Sequence, residues 1–230
     1  MSAITHNVEF LVESHWARMN VLAWSYTDIA ESAYDDYMVA NENYVPLPED
    51  DDPTEHFESH KNILESSFKT IVFSAMACEA AIFDLAAIQL GDDYAEKYLD
   101  KLDIVGKWVV VPKLICGKPL NISGPAINSL RELIHARNAL VHHKSLPGLP
   151  DSELIRKADK QMSKIINRTD VAFKAVVLLS LELNRVLEVK TGALPFFEAD
   201  MKSLTEERHS KRIWDVIHRC RKIDADNAIP

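Results

Sequence analysis

The stretch TIVFSAMACEAAIFDLAAIQL, residues 70–90, decides the fold class of this 230-residue chain. It is long enough to cross a bilayer as a helix, but Glu79 and Asp84 interrupt its apolar character. Each carboxylate would cost about 2.5 kcal/mol or more near the centre of a membrane. We therefore interpret the stretch as the core helix of a protein that does not span a membrane, and we expect Gly91 to end it.

The sequences on both sides of this stretch are also typical of helices. The chain contains only six glycines, which is few for a fold that joins strands by tight turns. Helical spacing and helix-favouring composition predict helices over 7–40, 57–90, 93–102, 124–145, 152–189 and 202–222. The sequence therefore predicts an all-α fold, an up-and-down bundle of four to six helices.

One segment, 104–122, is ambiguous. Its run of three valines at 109–111 favours a short strand, whereas Pro112, Gly117 and Pro119 interrupt any long element.

Three regions follow from these boundaries. Residues 1–56 contain an N-terminal helix and an acidic loop with prolines, and residues 57–190 form the helical core. Residues 191–230 contribute a basic C-terminal helix that packs on the same domain. Seven carboxylates and no Lys or Arg within 41–60 indicate that the loop is exposed.

Charge is distributed unevenly along the chain, whose net charge is -9. Residues 1–100 hold 4 Lys and Arg against 20 Asp and Glu, and residues 101–230 hold 22 against 15. The acidic total argues against a general nucleic-acid coat. It leaves open a basic cleft in the second half, or self-association of the acidic part with the basic part.

The cysteines indicate the compartment. Cys78, Cys116 and Cys220 are widely spaced and form no CxxC pair, so neither a disulfide framework nor a zinc site is indicated. The first residues lack a basic leader followed by an apolar core. We therefore expect a cytoplasmic protein with reduced thiols and without a metal or other cofactor.

Candidate functional residues concentrate in RELIHARNALVHHK, residues 131–144, which holds three of the nine histidines and two of the ten arginines. On a helical wheel this segment has a core stripe made of Leu130, Leu133, Ile134, Leu140 and Val141. A separate polar row consists of Arg131, His135, Asn138 and His142. His143 points elsewhere.

Arg137 falls in the middle of the core stripe. A guanidinium there requires a partner, because an unpaired buried charge is strongly destabilising. Glu79 is the best candidate for a structural ion pair with Arg137, and Asp84 is the other.

The segment RNALVH, from Arg137 to His142, resembles the R-x4-6-H signature of the HEPN superfamily, the nucleotide-binding helical domains of higher eukaryotes and prokaryotes. Asn138 matches the polar residue that often follows the arginine. An acidic residue in the apolar run of the preceding helix, here Glu79, is similar too. The resemblance covers about residues 57–190.

This resemblance implies a metal-independent endoribonuclease whose active site is built at a homodimer interface. Such an enzyme could act in a toxin–antitoxin pair or in phage defence. Its protein partner would then be an antitoxin or another protein. His142 would take the proton from a ribose 2′-hydroxyl of RNA, and Arg137 would stabilise the negative charge that develops on the phosphate. Asn138 would orient these groups or bind phosphate. Further candidates for substrate binding are Arg131, His135 and His143.

Geometry constrains this hypothesis. Arg137 and His142 lie about 140° apart and about 7.5 Å along an ideal helix, so one helix cannot aim both at one atom. A twofold dimer would bring each row to its copy.

Alternatives remain open for the motif and for the C-terminal helix. A non-catalytic HEPN-like module could bind a nucleotide, RNA or a partner protein, and His142 could simply favour the helix dipole. A coincidental motif in an unrelated helical protein is the third interpretation. The basic segment 206–222 could contact phosphates, or present a solvated face with Trp214 packed inward.

Overall fold

The computed structural model describes residues 22–44, 53–142, 151–201 and 208–228. Within those ranges the chain contains no strand and forms seven helices: α1 (Ala23–Glu42), α2 (Pro53–Leu90), α3 (Asp92–Tyr94), α4 (Ile104–Cys116), α5 (Pro125–Val141), α6 (Asp151–Leu187) and α7 (Lys211–Asp226). The short α3 continues into a π-helical turn, Ala95–Leu99. The predicted all-α bundle is thus confirmed, with six longer helices and one of three residues.

The stretch that decides the fold lies in α2, at the centre of the bundle. Its residues Ile71, Ala75, Cys78, Ile82 and Leu85 are buried at alternating spacings of four and three, as expected for one face of a helix. This helix packs on α1, α4, α5 and α6. The helix ends at Leu90, as the sequence predicts, and Gly91 follows with a φ of 91°.

The length and composition of α2 raise the question of whether this helix could span a membrane. By length and composition alone, one stretch of the described residues, His60–Leu90, could span a bilayer. Its most apolar window is 56% buried inside the protein.

The valine run at 109–111 favours a short strand, and this prediction is wrong because the segment is part of α4. Its buried residues follow the spacing i, i+3, i+4, i+7, i+8: Ile104, Lys107, Trp108, Val111 and Pro112. Burial of this face against the neighbouring helices α2 and α6 outweighs the modest β-preference of valine. Gly117, with a φ of 77°, ends the helix.

Helices α5 and α6 form an antiparallel pair. The backbone N–H of Asn121, just before α5, donates to Oε1 of Glu182 at 2.6 Å. Further along, Nδ1 of His135 lies 2.7 Å from Nη1 of Arg168. Between the two contacts, one chain segment advances from 121 to 135 while the other returns from 182 to 168. This register sets the positions of side chains along the surface of the pair.

Helix α7 packs on α6 and α1, and buries Ile213, Val216, Ile217 and Cys220. Trp214 is half-buried and meets the ring of His209 edge-on, 5.2 Å between centroids. The inward-packed tryptophan is therefore the arrangement that the structure contains. Residues 1–21, 45–52 of the predicted acidic loop and 202–207 of the last predicted helix lie outside the described residues. The helices on both sides extend into the predicted loop, since α1 ends at Glu42 and α2 begins at Pro53.

Candidate functional site

The candidate site lies on the C-terminal half of α5. The buried face of this helix ends at Ala136, after Ala126, Ile127, Leu130 and Leu133. The last turn extends past this buried face, and Val141 is 55% exposed although the helical wheel places it on the core stripe. His142 caps the helix, and its backbone N–H donates to the carbonyl of Asn138 at 3.0 Å.

Arg137 lies on this last turn and is half-buried. Its Nη1 donates to Oδ1 of Asn138 at 3.0 Å. The expected ion pair with Glu79 is not present among the described residues, and no described carboxylate pairs with Arg137. Because the turn extends past the core, water can solvate the guanidinium and no buried partner is required.

The predicted polar row of α5 faces a shallow groove between α4 and α5, with a volume of about 650 Å³. Arg131, His135 and Asn138 line it together, whereas His142 is exposed at the end of the same row. The opposite wall is apolar and comes mainly from valines of α4: Val105, Val109 and Val110. His143 lies outside the described residues.

Arg131 is held by its own helix and the preceding loop. Its Nη1 donates to the carbonyl of Ile122 at 2.9 Å and to Oδ1 of Asn128 at 2.8 Å. Since both acceptors are neutral, these bonds fix the side chain and leave its positive charge uncompensated.

His135 contacts an arginine that sequence reasoning missed. Arg168 of α6 is half-buried, and its Nη1 lies 2.7 Å from Nδ1 of His135. Arginine has only donors, so a hydrogen bond at this distance requires Nδ1 of the imidazole to be the acceptor. In the sequence, the available signal was a basic row at i, i+4, i+8 on α6, formed by Lys160, Lys164 and Arg168.

The antiparallel register places this row beside α5. Residue 168 lies level with 135, so Lys164 lies about level with Ala139, on the turn that carries Arg137 and Asn138. Lys160 and Lys164 are exposed. The polar row of α5, with Arg137, and the basic row of α6 therefore lie side by side, and we call them together the α5–α6 surface.

The arginines of the described residues differ in their partners. Three of them form ion pairs with carboxylates: Arg185 with Asp224, Arg208 with Asp28, and Arg212 with Glu42. The three on the α5–α6 surface, Arg131, Arg137 and Arg168, bind only neutral acceptors. Arg219 and Arg221 of α7 also bind only neutral acceptors, the backbone carbonyls of Asp215, Phe197 and Glu198. Of these described arginines without a carboxylate partner, three of the five therefore lie at the candidate site.

The basic C-terminal segment is mostly occupied within the protein. Arg208 and Arg212 contact acids of α1, and Arg221 donates to the carbonyls of Phe197 and Glu198. The phosphate contacts considered for this segment would have to compete with these partners.

Among the described residues, no cluster of three or more His, Cys, Asp or Glu side chains could hold a metal ion. The thiols of Cys78, Cys116 and Cys220 are free. No protein-family model matches the chain, and neither a curated protein nor a solved structure matches it.

Proposed function

We propose that this protein is a metal-independent endoribonuclease of the HEPN type, with Arg137, Asn138 and His142 at its active site. The observation that carries the proposal is the state of Arg137. Among the described residues its guanidinium hydrogen-bonds to the neutral amide of Asn138 and pairs with no carboxylate, and an exposed histidine, His142, lies five residues further along at the end of the same helix. An arginine held without a counter-ion is suited to bind a phosphate group.

The chemistry follows from these residue types. His142 accepts the proton of a ribose 2′-hydroxyl, and the 2′-oxygen attacks the adjacent phosphorus. Arg137 stabilises the extra negative charge on the phosphate oxygens. The bond from phosphorus to the 5′-oxygen breaks, and that oxygen takes a proton from an acid such as a protonated histidine. The products are a 2′,3′-cyclic phosphate and a 5′-hydroxyl end.

A second copy of the chain would allow Arg137 and His142 to act on the same phosphate. In α5, Arg137 and the cap residue His142 are separated by more than a turn, so within one chain they diverge. Val141, between them, is an apolar side chain that is 55% exposed. A twofold dimer that covers Val141 would bring Arg137 of one copy to His142 of the other.

The test is cleavage of RNA in EDTA, with analysis of the product ends. We expect Arg137→Ala and His142→Ala each to lose about 100-fold or more in rate. Matched controls on α7, Arg212→Ala and His218→Ala, should cleave like the wild type. Equal rates in the wild type and both site variants would contradict the proposal.

Mixing the two inactive variants tests the shared site. If Arg137 and His142 act from different copies, a heterodimer of Arg137→Ala and His142→Ala contains one intact site and regains activity. If both act from one copy, the mixture stays inactive. Binding of RNA without cleavage by the wild type would favour the alternative, a non-catalytic RNA-binding module.

A further inference from the structure

We propose that Arg168 and His135 form a second phosphate-binding site, which holds the RNA backbone next to the cleavage site. This inference rests on the proposed action on RNA. It concerns a contact between two helices, so the R-x4-6-H pattern does not contain it.

The contact positions Arg168 without neutralising it. The Nη1 atom of Arg168 lies 2.7 Å from Nδ1 of His135, and because arginine can only donate, this hydrogen bond uses the imidazole nitrogen as an acceptor without a negative charge. A carboxylate at the same place would orient the guanidinium equally well but would cancel its charge. With the imidazole, the guanidinium keeps a full positive charge and four further N–H groups.

The immediate surroundings favour an anion. Arg131 and Asn138 line the same groove as His135, and the exposed Lys164 lies one turn from Arg168 on α6. The groove has one carboxylate among its lining residues, that of Asp103. Its Oδ1 accepts the N–H of Gly106 at 2.7 Å and caps the first turn of α4, where a negative charge is favourable.

The position of the contact suits a polynucleotide. His135 precedes His142 by seven residues, or about 10 Å along α5. An RNA strand that crosses the α5–α6 surface toward His142 therefore meets Arg168 within a few nucleotides of the cleaved bond. Arg168 would bind one phosphate with two parallel N–H bonds, as a guanidinium commonly does. His135 acts as its positioning residue.

The experiment measures binding separately from cleavage. The probe is a fluorescent oligoribonucleotide with 2′-O-methyl groups at every ribose, which cannot form the attacking 2′-oxygen. Its Kd is measured over a range of salt concentrations. We expect Arg168→Gln to weaken binding about tenfold and to reduce the salt slope by about one phosphate contact. Arg212→Gln, the matched control ion-paired with Glu42, should stay within about twofold of the wild type.

His135 has its own pair of variants. His135→Gln can still offer an acceptor to Arg168 and should retain most of the affinity, whereas His135→Leu should weaken binding like Arg168→Gln. Thermal unfolding checks that each variant is folded. Absence of binding by the wild type, or equal Kd values for Arg168→Gln and Arg212→Gln, would overturn the inference.

These outcomes are distinct from those of the cleavage assay. If natural RNA is not cleaved but Arg168→Gln still weakens binding selectively, the nuclease proposal fails and the phosphate site stands. If RNA is cleaved in an Arg137-dependent manner while Arg168→Gln binds like the wild type, the phosphate site fails and the nuclease proposal stands.

Discussion

The Nδ1 atom of His209 lies 2.6 Å from Oε1 of Glu31, and only 4% of the histidine side chain is exposed. Neighbouring contacts join the same two segments: Arg208 with Asp28, Ser210 with Asp35, and Arg212 with Glu42. The acids all lie on α1, and their partners precede or begin α7. Part of the charge asymmetry between the two halves of the sequence is therefore neutralised within one molecule.

The first prediction compares two acids of these contacts between α1 and the start of α7, Glu31 and Glu42. Glu31→Ala leaves the buried imidazole of His209 without its partner, so we expect the free energy of unfolding to fall by about 1–3 kcal/mol. Glu42→Ala breaks an ion pair whose side chains are 40% and 58% exposed, and should cost less than about 0.5 kcal/mol. Urea unfolding measures both free energies, and equal losses of stability would show that the buried contact between Glu31 and His209 does not stabilise the fold more than the exposed pair does.

The second prediction concerns Glu182, which is 3% exposed and accepts the N–H of Asn121. Burial raises the pKa of this carboxyl, and the hydrogen bond from Asn121 and the charge of Arg185 offset the effect only in part. Between the ordinary pKa and the raised one, the folded state binds more protons than the unfolded state. Stability from this group therefore increases as the pH falls through that window.

Glu182→Gln removes this titration and keeps an oxygen acceptor for Asn121. The free energy of unfolding of the variant minus that of the wild type should be larger at pH 7 than at pH 4. Urea unfolding of both proteins at both pH values measures this difference. A difference that does not change with pH would mean that the carboxyl ionises in the fold as it does in the unfolded chain.

Much of the fold could be predicted from local pattern. The long apolar run, the low glycine content and the position of Gly91 predict α2 and its end. The prediction of α6 over 152–189 differs by two residues or fewer from Asp151–Leu187. The valine run misled because β-preference is a local and weak effect, whereas the face of α4 that carries Trp108 gains from burial.

The candidate site could be predicted only where it belongs to one helix. The row of Arg131, His135 and Asn138 follows from helical spacing, and these residues do line one groove. A helical wheel gives the angular position of a residue but not how far along the helix the hydrophobic core extends. It therefore placed Arg137 in the core. The contact between His135 and Arg168 depends on the register of two helices, which is set by side-chain packing over their whole length.

The third prediction separates a structural role of Arg137 from a functional one. Because, among the described residues, its guanidinium hydrogen-bonds only to the amide of Asn138, Arg137→Ala should change the free energy of unfolding by no more than about 0.5 kcal/mol. Leu133→Ala, one turn earlier on the same helix at a residue 1% exposed, should cost about 2–5 kcal/mol. If both substitutions cost the same, Arg137 holds the fold together, and lost cleavage in its variant would have a structural cause.

The fourth prediction uses the cysteines to report on global opening. Cys116 is exposed at the end of α4, whereas Cys78 and Cys220 are both fully shielded, each with 0% exposure. Burial raises the pKa of the Cys220 thiol to about 12, and raises that of Cys78 as well, so neither forms the reactive thiolate at neutral pH.

A thiol reagent at pH 8 should therefore modify one cysteine rapidly, and mass spectrometry of peptides should locate the label at Cys116. Cys116→Ser should abolish the rapid phase and leave two slow sites. Labelling of Cys78 and Cys220 should accelerate together with denaturant, because both are fully buried in the core and become accessible only when the helices separate. Rapid labelling of Cys78 in the native protein would contradict the central position of α2.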